Sequence, residues 1–320
     1  LKGADNPANV SKVQSAMVNS MVASAAAVAT SGIQVLQPTK QQEQTVNRVV
    51  EAIRSRRYDD ALSCFTPQGA DMYQRLIHYG KARLVGEPVY SYTQFGDEVI
   101  VRSIPLAFSF EHGLRHSFVE NIVLSINKDG KIDNIAFGLD EQATADIMGK
   151  SIWSETARQT IVTFLENYKT AFALKRIDYI ESIFDDDAVI IVGHVVKRLE
   201  KTGSELNPYA NNQYVKRTQY TKKQYMENLR RCFAQQEFVN IRFGNNDVVK
   251  AGRGGELYGI QIKQDYYSTW YGDQGCLYLQ VDLNEPKKPV IHVRTWQEAP
   301  DPELMTDGDT STGIYGIQDF

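Results

Sequence analysis

The sequence predicts an α+β protein of two domains, each with N-terminal helices packed on one face of a curved, mainly antiparallel sheet. Three observations predict it. A length of 320 residues suits two domains of ordinary size. Helical and strand periodicities come in blocks, helices first and strands after, which is the α+β order. And that block order is met twice along the chain. Hydrophobic residues at 42% and charged residues at 23% supply real cores and exclude a wholly disordered chain. The net charge of −4 gives no global basic field, which argues against nucleic acid as a partner.

Residues 1–40 form an N-terminal helix and linker. Val10, Val13, Met17, Met21, Ala25 and Val28 recur at about 3.5 residues, which predicts a helix lying against the first domain or a partner helix. Its apolar stretch, Met17–Thr30, is interrupted by Asn19, Ser20 and Ser24 and falls short of the roughly 18 apolar residues of a membrane span. The first domain, 41–150, opens with Gln41–Phe65, where Val46, Val49, Val50 and Ile53 mark one helix and Tyr58, Leu62 and Phe65 a second helical stretch. Strands follow at Glu98–Phe110, Arg115–Asn127 and Lys131–Gly138, with turns at His112-Gly113 and Asp129-Gly130. The second domain, 151–300, repeats the plan. Glu155–Phe184 carries Ile161, Phe164, Leu165, Tyr168 and Phe172 on one helical face, then Ile177, Ile180 and Phe184. Its strands are Ala188–His194, Glu237–Lys250, Glu256–Tyr271, Cys276–Asp282 and Pro289–Trp296, with a long connection and a third helix, Lys222–Phe233, inserted after the first. Gly252–Gly255 and Gly272–Gly275 are read as turns. Val46/Leu165, Ala52/Ala171, Arg57/Arg176, Asp59/Asp178, Ser63/Ser182 and Phe65/Phe184 are all 119 residues apart, which favours a duplicated unit. The tail, 301–320, has five acids and no Lys or Arg and is expected to be loosely ordered.

The stretches Ile161–Gly193 and Tyr258–Gln297 resemble the nuclear transport factor 2-like family, also called ketosteroid isomerase-like, with its cystatin-like α+β fold. The resemblance covers about 41–300 as two copies and is closest in the second. It implies cone-shaped domains with a pocket between the helices and the concave sheet face. It does not imply a reaction, because the family includes isomerases, dehydratases, cyclases (the SnoaL-like members) and many non-catalytic modules. Certain exported bacterial proteins of unassigned function have a similar tandem build, which implies export to the periplasm or cell surface. Family members pair through the outer faces of their sheets, so two copies in one chain would form that pair internally and leave a monomer in solution.

Alternation along the strand from Glu256 puts Tyr258, Ile260, Ile262, Gln264, Tyr266, Ser268 and Trp270 on one face. With Tyr168 of the opening helix, Gln264, Tyr266 and Trp270 are the candidate pocket residues. Asp187 and His194 are the candidate acid and base, although alternation places them on opposite faces and three consecutive acids, Asp185–Asp187, suit a solvated turn. The three cysteines, Cys64, Cys232 and Cys276, are too scattered for a disulfide framework or a Cys-x-x-Cys pair, and no His cluster forms a ligand set, so no metal and no cofactor is expected. Lys197, Arg198, Lys201, Lys216, Arg217, Lys222, Lys223, Arg230 and Arg231 interleave with tyrosines across 196–231, a mixture that suits a glycan or peptide surface. These residues point to a non-catalytic module that binds a small ligand or a partner. The alternatives are an isomerase, dehydratase or cyclase working in the second pocket, and a glycan- or peptide-binding surface at 196–231.

Overall fold

The computed structural model describes residues 35–197, 213–252, 254–301, 304 and 313–320. The expected helix over Val10–Val28, the basic residues Arg198 and Lys201, and half of the acidic tail lie outside the described residues. The chain divides into two compact units. The first takes the described residues up to Lys175 together with Glu237–Asn240 and Ser268–Trp270; the second takes the rest.

In the first unit, helix α1 (Lys40–Arg54) starts where Thr39 and Gln42 cap each other. The Thr39 hydroxyl accepts from the Gln42 amide at 3.2 Å and the Gln42 side chain accepts from the Thr39 amide at 2.9 Å. Val46, Val49, Val50 and Ile53 are all buried, so the helical stripe read in the sequence is the core face. The helix ends as Arg56 turns left-handed at φ 57°, and a tight 3₁₀ stretch, Tyr58–Cys64, returns the chain to the sheet. Helix α2 (Pro67–Tyr73) follows, with Thr66 as its cap and proline in its first turn, and runs on into a wider π turn at Gln74–His78. Strands β1 (Arg83–Leu84), β2 (Ser91–Phe95), β3 (Glu98–Ser109), β4 (Ser117–Ile126) and β5 (Ile132–Phe137) form one sheet in the order β1-β3-β4-β5, with β2 also on β3. Helices α3 (Glu141–Met148) and α4 (Glu155–Ala173) complete the unit. Ile104, Leu106, Phe108, Ile122, Leu124 and Phe137 pack with α1 and α2 in the main core, while Ile100, Val123 and Ala136 form a small cluster of their own. Thus α4, which opens the second copy in sequence, is grouped with the first sheet.

The second unit contains α5 (Ile177–Ser182), β6 (Phe184–Lys197), β7 (Gln213–Tyr220), α6 (Lys222–Ala234), β8 (Val239–Lys250), β9 (Leu257–Ser268), β10 (Gly272–Asp282) and β11 (Val290–Gln297). The sheet order is β7-β6-β11-β10-β9-β8, with β6 and β11 parallel. Three details differ from the sequence expectation. Gln213–Tyr220, read as part of a long connection, is strand β7 paired antiparallel with β6. Gly272–Gly275, read as a turn, is paired strand, because the chain already turns at Thr269–Tyr271, where the Thr269 hydroxyl accepts from the Glu237 amide at 2.7 Å. The described part of the tail, Asp301, Leu304 and Gly313–Phe320, is packed rather than loose: Asp301, Gly313 and Tyr315 are buried.

The repeat is visible in backbone geometry as well as in residue types. Lys175, which stands 119 residues after Arg56, is left-handed at φ 54°, so both helices end on the same kind of kink. Phe65 then makes a parallel bridge to Ile132 in the last strand of the first sheet, and Phe184 pairs in parallel with Ile291 in the last strand of the second. Both units are α+β, each combining helices with an antiparallel-rich sheet.

Candidate functional site

One face of the second sheet is apolar at one end and polar at the other. Strand β9 presents Tyr258, Ile260, Ile262, Gln264 and Tyr266; opposite them on β10 stand Val281, Leu279, Leu277, Gly275 and Asp273. Strand β11 adds Arg294 and Trp296, opposite Leu279 and Leu277, and β6 adds Ile190, Val192 and His194. Helix α6 covers the apolar end: Tyr225 and Met226 are buried, and the Arg294 guanidinium lies 5.0 Å from the centre of the Tyr225 ring. The polar end holds Gln264, Tyr266, Tyr271, Asp273, His194 and Trp296. A glycine is required at 275, since a Cβ there would lie 2.3 Å from the Gln297 carbonyl and 2.9 Å from the Trp296 ring. The absent side chain leaves room for the indole beside Gly275.

The Tyr271 hydroxyl donates to Asp273 Oδ2 at 2.8 Å. Burial pushes the Asp273 carboxyl above the usual range, and the Tyr271 hydrogen bond and the charges of His194 and Arg294 only partly offset it. The Tyr271 phenol is raised as well, by burial first and then by its bond to Asp273. The Tyr266 and Tyr271 rings are 6.1 Å apart, and His194 lies 5.3 Å from Trp296. Two buried polar atoms at this end, Asp273 Oδ1 and Trp296 Nε1, have no hydrogen-bond partner among the described residues. One can accept and the other can donate.

Of the sequence candidates, Gln264 (4% exposed) and Tyr266 are on this face, as alternation required. His194 is on it too, exposed at the end of the β6 row. Asp187 is exposed in the irregular first part of β6, where its amide donates to Asp185 Oδ1 at 2.9 Å in a local turn. Tyr168 is buried on α4 between Phe164 and Phe172, at 6.1 and 5.0 Å, in the first unit. Trp270 falls outside the alternation because β9 stops at Ser268; its side chain is 70% exposed, and it belongs to the first unit with its ring 6.2 Å from His112. Tyr271, Asp273, Arg294 and Trp296 were not singled out from the sequence. A strand assigned from Gly272 instead of Cys276 would have put Asp273 opposite Tyr266.

The first unit has polar groups of a different kind. Arg102 grips Glu166 of α4 with two nitrogens, at 2.5 and 2.9 Å, and Glu166, 2% exposed, also accepts from the Leu139 amide at 3.1 Å. Lys169 donates to Glu120 at 3.0 Å and to the Gly138 carbonyl at 3.2 Å, and Asn240 donates to the second Glu120 oxygen at 2.7 Å. Thr170 accepts from the Phe137 amide at 2.8 Å. Three residues of α4 thus tie down the chain between β5 and α3. Beside Arg102 an open cleft of about 430 Å³, solvent space included, is lined by Thr93, Phe95, Ile100, Thr144, Met148, Gln159, Val162 and Thr163. Three basic residues of the described part of 196–231 have acidic partners: Lys222 bonds the Phe184 carbonyl and Asp186, Arg217 pairs with Asp301, and Arg230 with Glu181. Among the described residues no three His, Cys, Asp or Glu gather as a metal site, and no helix is long and apolar enough to cross a membrane.

No family model and no curated protein matches the chain. Solved structures that match include the Bdellovibrio bacteriovorus protein Bd1075, at 12% identity and a TM-score of 0.32 over 53% of this chain and 45% of that one. Nuclear transport factor 2 from Cryptosporidium parvum matches at 8% identity and 0.31 over 45% of this chain and 95% of its own. A scytalone dehydratase, so described, from Novosphingobium aromaticivorans matches at 11% and 0.30 over 48% and 94%. Each spans about half of this chain. At these identities and TM-scores the likeness carries nothing about activity.

Proposed function

We propose that the chain is a non-catalytic binding module whose ligand site is the polar end of the second sheet. The observation that carries this reading is the pair of unpartnered buried atoms, Asp273 Oδ1 and Trp296 Nε1, on one face beside Gln264 and Tyr266. Buried polar groups in native proteins are nearly always satisfied, so an acceptor and a donor left open together suit a ligand that supplies the complement. That ligand is small, with a hydrogen-bond donor for the carboxylate, an acceptor for the indole, and a flat body that stacks on tyrosine. Cyclic amides such as 2-pyridone have this chemistry and serve as probes. Ligand-observed NMR of the purified chain with 2-pyridone is expected to show binding that both Asp273→Asn and Trp296→Phe abolish; binding unchanged in both variants removes the site.

A second reading rests on the raised Asp273 carboxyl. A buried acid held above its ordinary range is suited to proton transfer, and the neighbouring tyrosines would steady a developing oxyanion. Turnover of a ring or carbonyl substrate by the purified chain, lost in Asp273→Asn, would replace the binding reading with this one.

A further inference from the structure

The opposite face of the second sheet is covered by the chain's own C-terminal segment, Gly313–Phe320. The contacts are of the kind that recognise a peptide. Gln297, fully buried, donates through Nε2 to the Gly313 carbonyl at 3.1 Å and accepts through Oε1 from the Tyr315 amide at 2.9 Å. Gln261 donates to the Tyr315 carbonyl at 2.7 Å. Two side-chain amides, on β9 and β11 to either side of β10, therefore read both the N–H and the C=O of one residue, two positions before a 3₁₀ turn at Ile317–Asp319. The Tyr315 ring lies in a cluster with Tyr278 and Val293, and its hydroxyl accepts from Arg217 at 3.2 Å. Phe320 stacks on Tyr278 at 6.0 Å and on Tyr315 at 5.4 Å. Beneath Ile317 the sheet has Gly259, where a Cβ would lie 3.2 Å from the Ile317 Cβ and 3.0 Å from the Tyr278 hydroxyl.

The fit is incomplete. The Tyr278 and Thr295 hydroxyls, both buried on the same rung of this face, have no hydrogen-bond partner among the described residues. A segment bound by backbone contacts and two aromatic rings, above polar atoms it leaves open, is replaceable by another segment that makes the same contacts.

We propose that this face is a docking site for a partner peptide carrying an aromatic residue in the Tyr315 position followed by a tight turn, and that Gly313–Phe320 is its built-in competitor. Backbone recognition by Gln261 and Gln297 supplies affinity without sequence, and the Tyr278–Arg217 seat supplies the aromatic preference. Because the segment belongs to the same chain, a free peptide at micromolar concentration competes poorly until the segment's own anchors are weakened.

The test uses the full chain and a fluorescein-labelled synthetic peptide with the sequence of residues 313–320. The double variant Tyr315→Ala, Phe320→Ala is expected to bind it with one-to-one stoichiometry, at least tenfold tighter than the unaltered chain. A peptide with alanine in place of its tyrosine is expected to bind at least tenfold more weakly, and Gly259→Val added to the double variant to abolish binding. A double variant that melts cooperatively yet binds no tighter than the unaltered chain overturns the proposal. A concentration-dependent dimer in place of the one-to-one complex overturns it too, because a second copy would then be the occupant. If the double variant does not fold, hydrogen exchange on the unaltered chain decides. Exchange of the 313–320 amides at least tenfold faster than those of Gly272–Asp282 supports a displaceable segment; equal rates overturn it.

Discussion

Glu166 and Asp273 are both acids withdrawn from water, and the fold treats them in opposite ways. Glu166 is gripped by a two-pronged Arg102 and by the Leu139 amide. Removing one partner of such a pair leaves a buried charge, so Arg102→Met is expected to cost about 3 kcal/mol. Adding Glu166→Gln to it should recover most of that loss, because the amide oxygen still accepts from Leu139 while the charge is gone; urea denaturation midpoints measure both. Asp273 is raised by burial beyond what Tyr271, His194 and Arg294 restore. A carboxyl whose folded pKa lies above its unfolded value contributes most below the unfolded pKa, about 3.9, and that contribution is lost as pH rises through the folded value. Asp273→Asn is therefore expected to raise the melting temperature at pH 7, with the gain shrinking to nothing as the pH falls to about 4; a gain that persists at low pH would contradict it. At this scale the sequence showed Gln264 and Tyr266 through alternation, which needs only one strand. Asp273 and Trp296 needed the pairing of β9, β10 and β11, and registers between strands are set by turns and bulges that one-strand patterns do not contain.

The two left-handed kinks, Arg56 and Lys175, are the clearest mark of duplication at the scale of elements. A non-glycine residue in this region is strained by roughly 1 kcal/mol, which glycine avoids. Arg56→Gly is thus expected to be neutral or stabilising by up to about 1 kcal/mol, whereas Glu51→Gly, five residues earlier and inside α1, should lose about 1 kcal/mol. Chemical denaturation of the two variants compares them directly. The long periodic elements were legible: the stripes of α1 and α4, strands β3, β4 and β5, and the capped helix α6 all lie within a few residues of their expected ends. Those missed were short or masked by charge. Helix α3 has only eight residues, less than its own pattern can announce, and depends on Asp140 capping the Ala143 amide at 2.7 Å. Strand β7 carries Lys216 and Arg217 at adjacent positions, which hides it in the sequence; it pairs with β6, and Asp301 and Tyr315 meet the Arg217 side chain.

At the scale of the whole molecule, the division of the chain does not follow its sequence order. The first unit recruits Glu237–Asn240 and Ser268–Trp270 from far downstream. Phe238 stacks on Phe110 at 4.9 Å, Asn240 completes the Glu120–Lys169 pair, and the Glu237 carboxylate clasps the Glu111 and His112 amides at 2.9 Å each. A fragment ending at Lys175 lacks all of these. It is expected to unfold at a lower urea concentration than the first unit does within the full chain, with Glu120 short of its Asn240 partner; an unchanged midpoint would show that the recruited residues contribute nothing. The repeat of 119 residues, read from six matched positions, foretold two sheets of like build, but not this exchange of segments, because matched residue types say nothing of which copy a helix or a turn finally packs with.

The parallel pairing of β6 with β11 has a temporal consequence. Phe184 meets Ile291 only after every other strand of the second sheet has been made. On a ribosome adding roughly 5–20 residues per second, β6 and β7 would wait on the order of ten seconds with one edge open. Strand β6 is thus among the first synthesised and among the last to be enclosed, so the nascent chain spends that interval as a client for whatever holdase guards exposed strand edges.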